Sequence, residues 1–407
     1  MASEQRPIVT SMSQFSFSPA EAPAKIGHSS DKLFIGIPAH DSEWEKRVPL
    51  TPNGVAVLVN NGHRVVMETE AGKGSFYKDH DFSEVGAEIF YDRKQVYEAD
   101  IILKTDPPAL EEIDLMRPGQ VLLSPIQIST LHQDCIKKML EKRVYALAFE
   151  YIKDDAGFFP FVRSMSEIAG YTSILLASEY MSHEHHGKGI LLGGLSGVAP
   201  SKVVVLGAGV VGEFATRAAL GLGANVKIFD DNIYKLMRLQ NNVGERLFTS
   251  ILDPEVLVEE LIDADVAIGA VHSEYGRSPI IVTEEIVTKM KPGAVVVDVS
   301  IDQGGCFETS EVTTHESPTF IKHDVIHYCV PNIPSRVSRT ASQAISNILS
   351  PLLLRAYDIG GIEALLHQSA GARHGLYSYK GRLCNSHIGE KFGLKFTDVN
   401  LLFTSGL

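Results

Sequence analysis

Three glycines spaced Gly207-x-Gly209-x-x-Gly212 follow the apolar run 203–206 and lead into a helical pattern. Residues of these types in this order suit a pyrophosphate. The first glycine permits a tight turn, the second lets backbone approach the phosphates, and the third lets helix and strand pack closely. The helix that follows aims its first N–H groups at the same anion. A second apolar run, 226–229, ends on Asp230, 23 residues after Gly207. A carboxylate there accepts hydrogen bonds from an adenosine ribose and repels a 2'-phosphate, which points to NAD(H) over NADP(H). Histidines carry less. His183, His185 and His186 cluster where a helix gives way to a loop, but no acid or cysteine set stands beside them at ligand spacing, so no metal is expected. His132 reads as a surface helix residue, and His272 as a residue at the end of a strand.

Something must position these groups, and composition bounds what it is. A chain of 407 residues with 44% apolar side chains has ample material for two or three cores. A net charge of −13 without a basic cluster argues against nucleic acid or an anionic membrane as partner, and no apolar run is long enough to span a bilayer. Cys135, Cys306, Cys329 and Cys384 are scattered without CxxC spacing, which fits buried thiols in a reducing, cytoplasmic setting. Residues 1–30, rich in Ser, Pro, Ala and Gln, read as a disordered tail.

Short β-rich runs alternate with helical patterns, which predicts an α/β chain of parallel sheets and crossover helices. Expected strands are 33–37, 64–68, 100–103, 121–123 and 144–148 in a first unit, then 203–206, 226–229, 266–270 and 294–299 in a second. Between them Ser164 and Glu167, three residues apart, predict a capping box opening a long helix that runs to about Met181 and crosses between domains. A final long helix over about 339–357, bent at Pro351, returns the chain to the first unit.

Several stretches together resemble the alanine dehydrogenase and pyridine nucleotide transhydrogenase family: Glu45-Lys-Arg47-Val-Pro-Leu-Thr-Pro52, Met165-Ser-Glu-Ile-Ala-Gly170, Gly187-Lys-Gly-Ile-Leu-Leu-Gly-Gly194, the glycine motif, Lys291-Pro-Gly293, Val297-Asp-Val-Ser-Ile-Asp302-Gln-Gly-Gly305 and Tyr328-Cys-Val-Pro-Asn332. The resemblance covers about residues 32–370 and is nearer the alanine dehydrogenase branch, since the loop by which the transhydrogenase branch engages its partner domain is not recognisable before Met165. It implies two Rossmann-like domains around a cleft: a discontinuous substrate domain from 31–160 and 339–407, and an NAD-binding domain from 161–338. It also implies reversible, NAD-dependent deamination of L-alanine to pyruvate and ammonium, usually in a homohexamer. By position, Arg47 matches the family's carboxylate-binding arginine and Asp302 the acid beside nicotinamide and substrate nitrogen. Ser166, Val210, Lys235 and Asn332 join the glycines and Asp230 as cofactor contacts.

Two positions depart from the pattern. Where the family has a substrate-binding lysine, this chain has Asp106, in Leu103-Lys104-Thr105-Asp106-Pro107. The catalytic histidine expected after the next strand falls on Gln127, which orients a carbonyl or a water but takes up no proton near neutral pH. Lys104, two residues before Asp106, projects to the same face of an extended strand. It either supplies the missing charge or stands as the family's framework lysine. The departures leave two further readings: a carbon–nitrogen oxidoreductase of opine or saccharopine type, with Asp106 receiving a second amine, and a catalytically weak NAD-binding protein.

Overall fold

The structure, a computed structural model, describes residues 32–404 except 43, 129, 130, 274 and 275; the tail expected over 1–30 lies outside the described residues. Among the described residues, fifteen strands form two sheets. The first holds β1 (Phe34–Ile37), β2 (Arg64–Glu68), β3 (Glu88–Phe90), β4 (Ile101–Leu103), β5 (Val121–Ser124) and β6 (Tyr145–Ala148). The second holds β7 (Lys202–Leu206), β8 (Asn225–Phe229), β9 (Phe248–Ser250), β10 (Val266–Gly269), β11 (Val295–Asp298), β12 (Thr319–Lys322) and β13 (Val325–Tyr328). β14 (Leu376–Tyr379) and β15 (Arg382–Leu383), from the other end of the chain, extend the first sheet in the order β15-β14-β6-β5-β4-β1-β2-β3.

β1 to β6 pair in parallel, as do β7 to β11 with β13, while β12, β14 and β15 add antiparallel edges. The second sheet runs β12-β13-β11-β10-β7-β8-β9. Both are therefore doubly wound, with the order reversing between β1 and β4 in one and between β7 and β10 in the other. Crevices at the carboxyl ends of strands flanking such a reversal are where α/β sheets hold ligands. The strands are legible as apolar runs because both faces are covered. Ile101 and Leu103 of β4 enter one core layer with Ile35 and Ile37, while Ile102 enters the opposite layer with Val66 and Leu122, as alternation along a pleated strand requires.

Two long helices tie the units together. Pro160–Tyr180 begins four residues before the expected capping box. Pro160 takes the first turn, where its missing N–H costs nothing, while Ser164 Oγ donates to the Pro160 carbonyl and Glu167 pairs with Arg163 at 3.0 Å. Ser164 and Glu167 are thus interior residues, not a cap. At Gly170 a Cβ would strike the Val211 carbonyl and Phe214, so this glycine sets how closely the helix rests on helix Val210–Gly221. The helix Ser338–Asp358 continues through Pro351 and packs on both Pro160–Tyr180 and Pro52–Asn60. Among the described residues, no helix is long and apolar enough to cross a membrane.

Candidate active site

The glycine motif lies at the β7/β10 reversal. Gly207 has φ +107, and a Cβ on it would meet the Ala270 carbonyl at the end of β10; one on Gly212 would meet the Gly207 carbonyl. Gly209 differs, since a Cβ there would meet no protein atom within 4 Å. Two glycines are required by the protein's own packing, and the third opens a space against the first turn of helix Val210–Gly221. That space, lined by backbone N–H groups at a helix start, fits a dinucleotide pyrophosphate. Asp230 closes the next strand but is engaged with backbone: Oδ2 accepts from Ala208 N (2.7 Å) and Oδ1 from Asn232 N (2.8 Å). It braces the glycine loop, and the oxygens' remaining lone pairs are what a ribose would use. Lys235 Nζ stands 4.0 Å from Asp230 Oδ1, and Arg238 donates to the Ala208 carbonyl.

Asp302 belongs to a short 3₁₀ turn, Val299–Gln303, after β11. The motif around it is explained by local bonds. Buried Asp298 accepts from the N–H groups of Ser300, Cys306 and Phe307 and from Ser310 Oγ. Gln303 accepts from Ser273 N and donates to Ser273 O. Gly304 and Gly305, at φ +92 and +79, supply a reversal that L side chains resist. Asp302 is left facing solvent in the cleft, with Oδ1 accepting from Asn332 N at 3.1 Å. Protein on most sides raises its carboxyl above the ordinary value, against the pull of that N–H and of Arg47.

Across the cleft, Arg47 is buried in an extended segment that belongs to no sheet, so its N–H groups need other partners. Serines of and just before helix Ser338–Asp358 supply them: Ser335 Oγ accepts from Lys46 N, Ser342 Oγ from Val48 N and Ser346 Oγ from Thr51 N. The guanidinium does not stand open as a two-pronged clamp. Nε and Nη2 donate to Glu45 (2.7 and 2.5 Å), Nη2 also to the Thr105 carbonyl, and Nη1 approaches Met165 Sδ. A substrate carboxylate is left the Nη1 side. Asn332 Nδ2 donates to Glu45 Oε2 at 3.2 Å while its own N–H holds Asp302. The chain Asp302–Asn332–Glu45–Arg47 therefore links the two walls.

The first sheet's reversal, between β1 and β4, carries the departures. Lys104 is buried, 2.5 Å from Glu112 and 3.3 Å from Asp106, so the two do project to one side as expected. His40, past the end of β1, places Nδ1 2.7 Å from Asp106 Oδ1 and Nε2 2.9 Å from the Arg47 carbonyl. Burial alone would raise the Asp106 carboxyl, but the His40 hydrogen bond and the charges of His40 and Lys104 bring it down to about 2. It is an anion at any physiological pH. Gln127 sits in left-handed backbone (φ 42) and lines a cavity of about 380 Å³ with Trp44, Glu45, Asp106, His315 and Asn332. That size suits a small-molecule site. Trp44 and His315, one from each wall, stack with centroids 6.2 Å apart.

His132 is exposed at the start of helix Gln133–Glu141, as expected, without a side-chain capping bond, and exposed His272 follows Ala270 and Val271 beside the glycine loop. Ser166 is half-buried on the crossing helix next to Met165, the residue that meets Arg47. Sequence reasoning passed over His40, Glu45 as the partner of Arg47, and Glu150. Glu45 lay inside the quoted motif; His40 had no signal except its place after a strand.

Two doubly wound, parallel-dominated sheets with their reversal points at the cleft define an α/β protein of two Rossmann-like domains. The profile for the N-terminal domain of alanine dehydrogenase/PNT matches residues 36–169, and that for the C-terminal domain matches 173–386. Alanine dehydrogenase of Mycolicibacterium smegmatis is 40% identical over 368 residues, spanning 90% of this chain and 99% of that protein; that of Bacillus subtilis is 38% identical, spanning 89% and 96%. A solved L-alanine dehydrogenase superposes with TM-score 0.83 at 35% identity, covering 88% of this chain and 99% of its own. A transhydrogenase from Sinorhizobium meliloti shares the fold, with TM-score 0.74 at 23% identity. The chain belongs to the alanine dehydrogenase/PNT family.

Proposed function

We propose that this chain is an NAD-dependent oxidoreductase that reversibly deaminates L-alanine to pyruvate and ammonium. The observation that carries the reading is the Asp302–Asn332–Glu45–Arg47 link, which puts an acid and a buried cation of the family motif on opposite walls of one cleft. The glycine loop and helix Val210–Gly221 would hold the pyrophosphate, with Asp230 toward the ribose and Ser166, Lys235 and Asn332 along the cofactor's path. NAD, when bound, supplies the hydride acceptor. Arg47 receives the substrate carboxylate at Nη1, where a planar guanidinium fixes orientation better than an ammonium. Asp302, whose carboxyl burial raises above the ordinary value, holds the substrate nitrogen and exchanges a proton with it. Gln127 orients the carbonyl or attacking water by its amide. The enzyme acts in the cytoplasm as a homo-oligomer, a hexamer by family resemblance; the four free cysteines are all buried, which suits a reducing compartment.

One observation favours a second reading. Asp106, ionised and on the cavity wall beside Glu45, presents negative charge where a carboxylate substrate is expected. An opine-type enzyme would seat a second amine there. Following NADH absorbance with 2-oxo acids plus ammonium, then plus primary amines, tests both: turnover of pyruvate with ammonium supports the first, and turnover that requires an organic amine replaces it with the second.

A further inference from the structure

Glu150 follows β6 in a short 3₁₀ turn, Phe149–Tyr151, under the loop that carries Gln127. Its carboxyl is enclosed by protein. Oε1 accepts from Ile126 N at 2.7 Å, the Gln127 N–H also points to the carboxyl, and Oε2 is buried without a hydrogen-bond partner. An orphaned buried carboxylate oxygen costs free energy, and a structure retains one at a cleft only where something offsets it. Around it stand Arg47 from the segment before helix Pro52–Asn60, Tyr377 from β14 and Tyr151 from its own turn. Burial pushes Tyr151 up to about 12 and Tyr377 higher, so both are neutral and Arg47 is the charge that acts on Glu150. Arg47 is itself shared with Glu45.

We propose that Glu150 is a positioning residue for this reaction: its carboxylate grips the N–H groups of the Ile126–Gln127 turn and so couples the placement of the Gln127 amide to the proton state of a buried acid. The inference rests on the deaminase reading for the role of Gln127. Gln127 needs such a hold because φ 42 is unfavourable for a residue with a side chain. Burial raises the Glu150 carboxyl to about 7, against the backbone N–H groups and Arg47, so the grip changes within the working range. The ionised form is the better acceptor and therefore the competent one, and activity rises with pH through this value. A site that has no histidine at position 127 thus keeps a neutral-range titration one layer further in. Substrate binding adds a carboxylate beside Arg47, weakens what Arg47 does for Glu150, and moves the titration upward in the complex.

The test is the pH dependence of kcat/KM and kcat for alanine oxidation by the full chain with NAD, wild type against E150Q and E150D. The wild type has an acid limb near pH 7 in kcat/KM, displaced to higher pH in kcat. E150Q, nearly isosteric and able to accept from Ile126 N, lacks the limb; E150D keeps it with lower kcat. NADH affinity is unchanged in both, which shows that they fold. A limb that persists in E150Q assigns it to another acid, foremost Asp302, and overturns the proposal. Infrared titration of the NADH complex gives a reading free of turnover: a carboxyl band that ionises near pH 7 and is missing in E150Q. Its absence from the wild type also defeats the proposal, whereas its presence in a protein inert toward alanine would defeat only the deaminase reading.

Discussion

At the β7/β10 reversal the backbone itself makes the site: Gly207 and Gly212 press against carbonyls, Gly209 faces open space, and Asp230 ties the loop down through two N–H groups. At the β1/β4 reversal the corresponding crevice is filled by charged side chains, with His40, Lys104 and Asp106 joined and Arg47 locked to Glu45. A backbone site tolerates change at most of its side chains and fails at the glycines. A side-chain site holds its fold while its chemistry drifts. The glycine loop is a site of the first kind, and the wall that carries Asp106 and Gln127 is one of the second.

The largest effect expected is on the acid that both walls share. Asp302→Asn should lower kcat by about 10²–10⁴ while NADH binding stays near wild type, because an amide cannot exchange the proton. A loss below tenfold in steady-state assays would assign the proton chemistry elsewhere. Arg47→Lys should cost about a hundredfold in kcat/KM through misplaced substrate, with NADH titration unaltered. If KM and kcat are unaffected, the carboxylate is held by another group. Within the backbone site, Gly209→Ala should fold with its Tm unchanged and weaken NADH by about tenfold, roughly 1.4 kcal/mol. Gly212→Ala should lower Tm, since its Cβ meets the Gly207 carbonyl. Equal behaviour of the two in calorimetry would contradict the division of roles. Asp230→Ser should narrow a preference for NADH over NADPH that is at least about tenfold in the wild type, by removing the charge opposed to a 2'-phosphate. The smallest effect is on stability. Glu150 carries a folded pKa of about 7 against 4.5. The native state thus binds its proton more tightly than the unfolded chain, and wild-type stability falls as pH rises from about 4.5 to 7. The Tm of E150Q relative to wild type should accordingly rise over that window and level off above it; a gap independent of pH would mean that Glu150 does not titrate there.

Much of this was legible in the sequence, for a physical reason. Strands such as β4 and β10 are buried on both faces and read as apolar runs; β3, β9 and β12 are short, partly exposed strands with polar members and gave no run to find. β13 hid behind His327, whose ring is buried against Thr309 and the Val325 carbonyl. The glycine motif is local, so spacing sufficed. Arg47 and Asp302 were found by motif, but the partners that shape them come from far along the chain: Glu45 is reached by Asn332, and the Arg47 segment is held by Ser342 and Ser346. The buried serines 338, 342, 346 and 350 repeat every four residues, a polar stripe along one helix face that could have pointed to a backbone segment needing acceptors. Glu150 had no sequence signal, because its character comes from burial.

The proposed alanine chemistry has to proceed in a cleft whose wall presents the Asp106 carboxylate and the Gln127 amide. The most direct measurement is NADH oxidation by the purified wild-type chain with pyruvate and ammonium, set beside the same assay with larger 2-oxo acids and primary amines. Turnover with pyruvate and ammonium, raised further and non-additively in the double variant Asp106→Lys, Gln127→His, is the predicted result. A wild type inert with pyruvate and alanine, yet active with an organic amine and silenced by that double change, would contradict it.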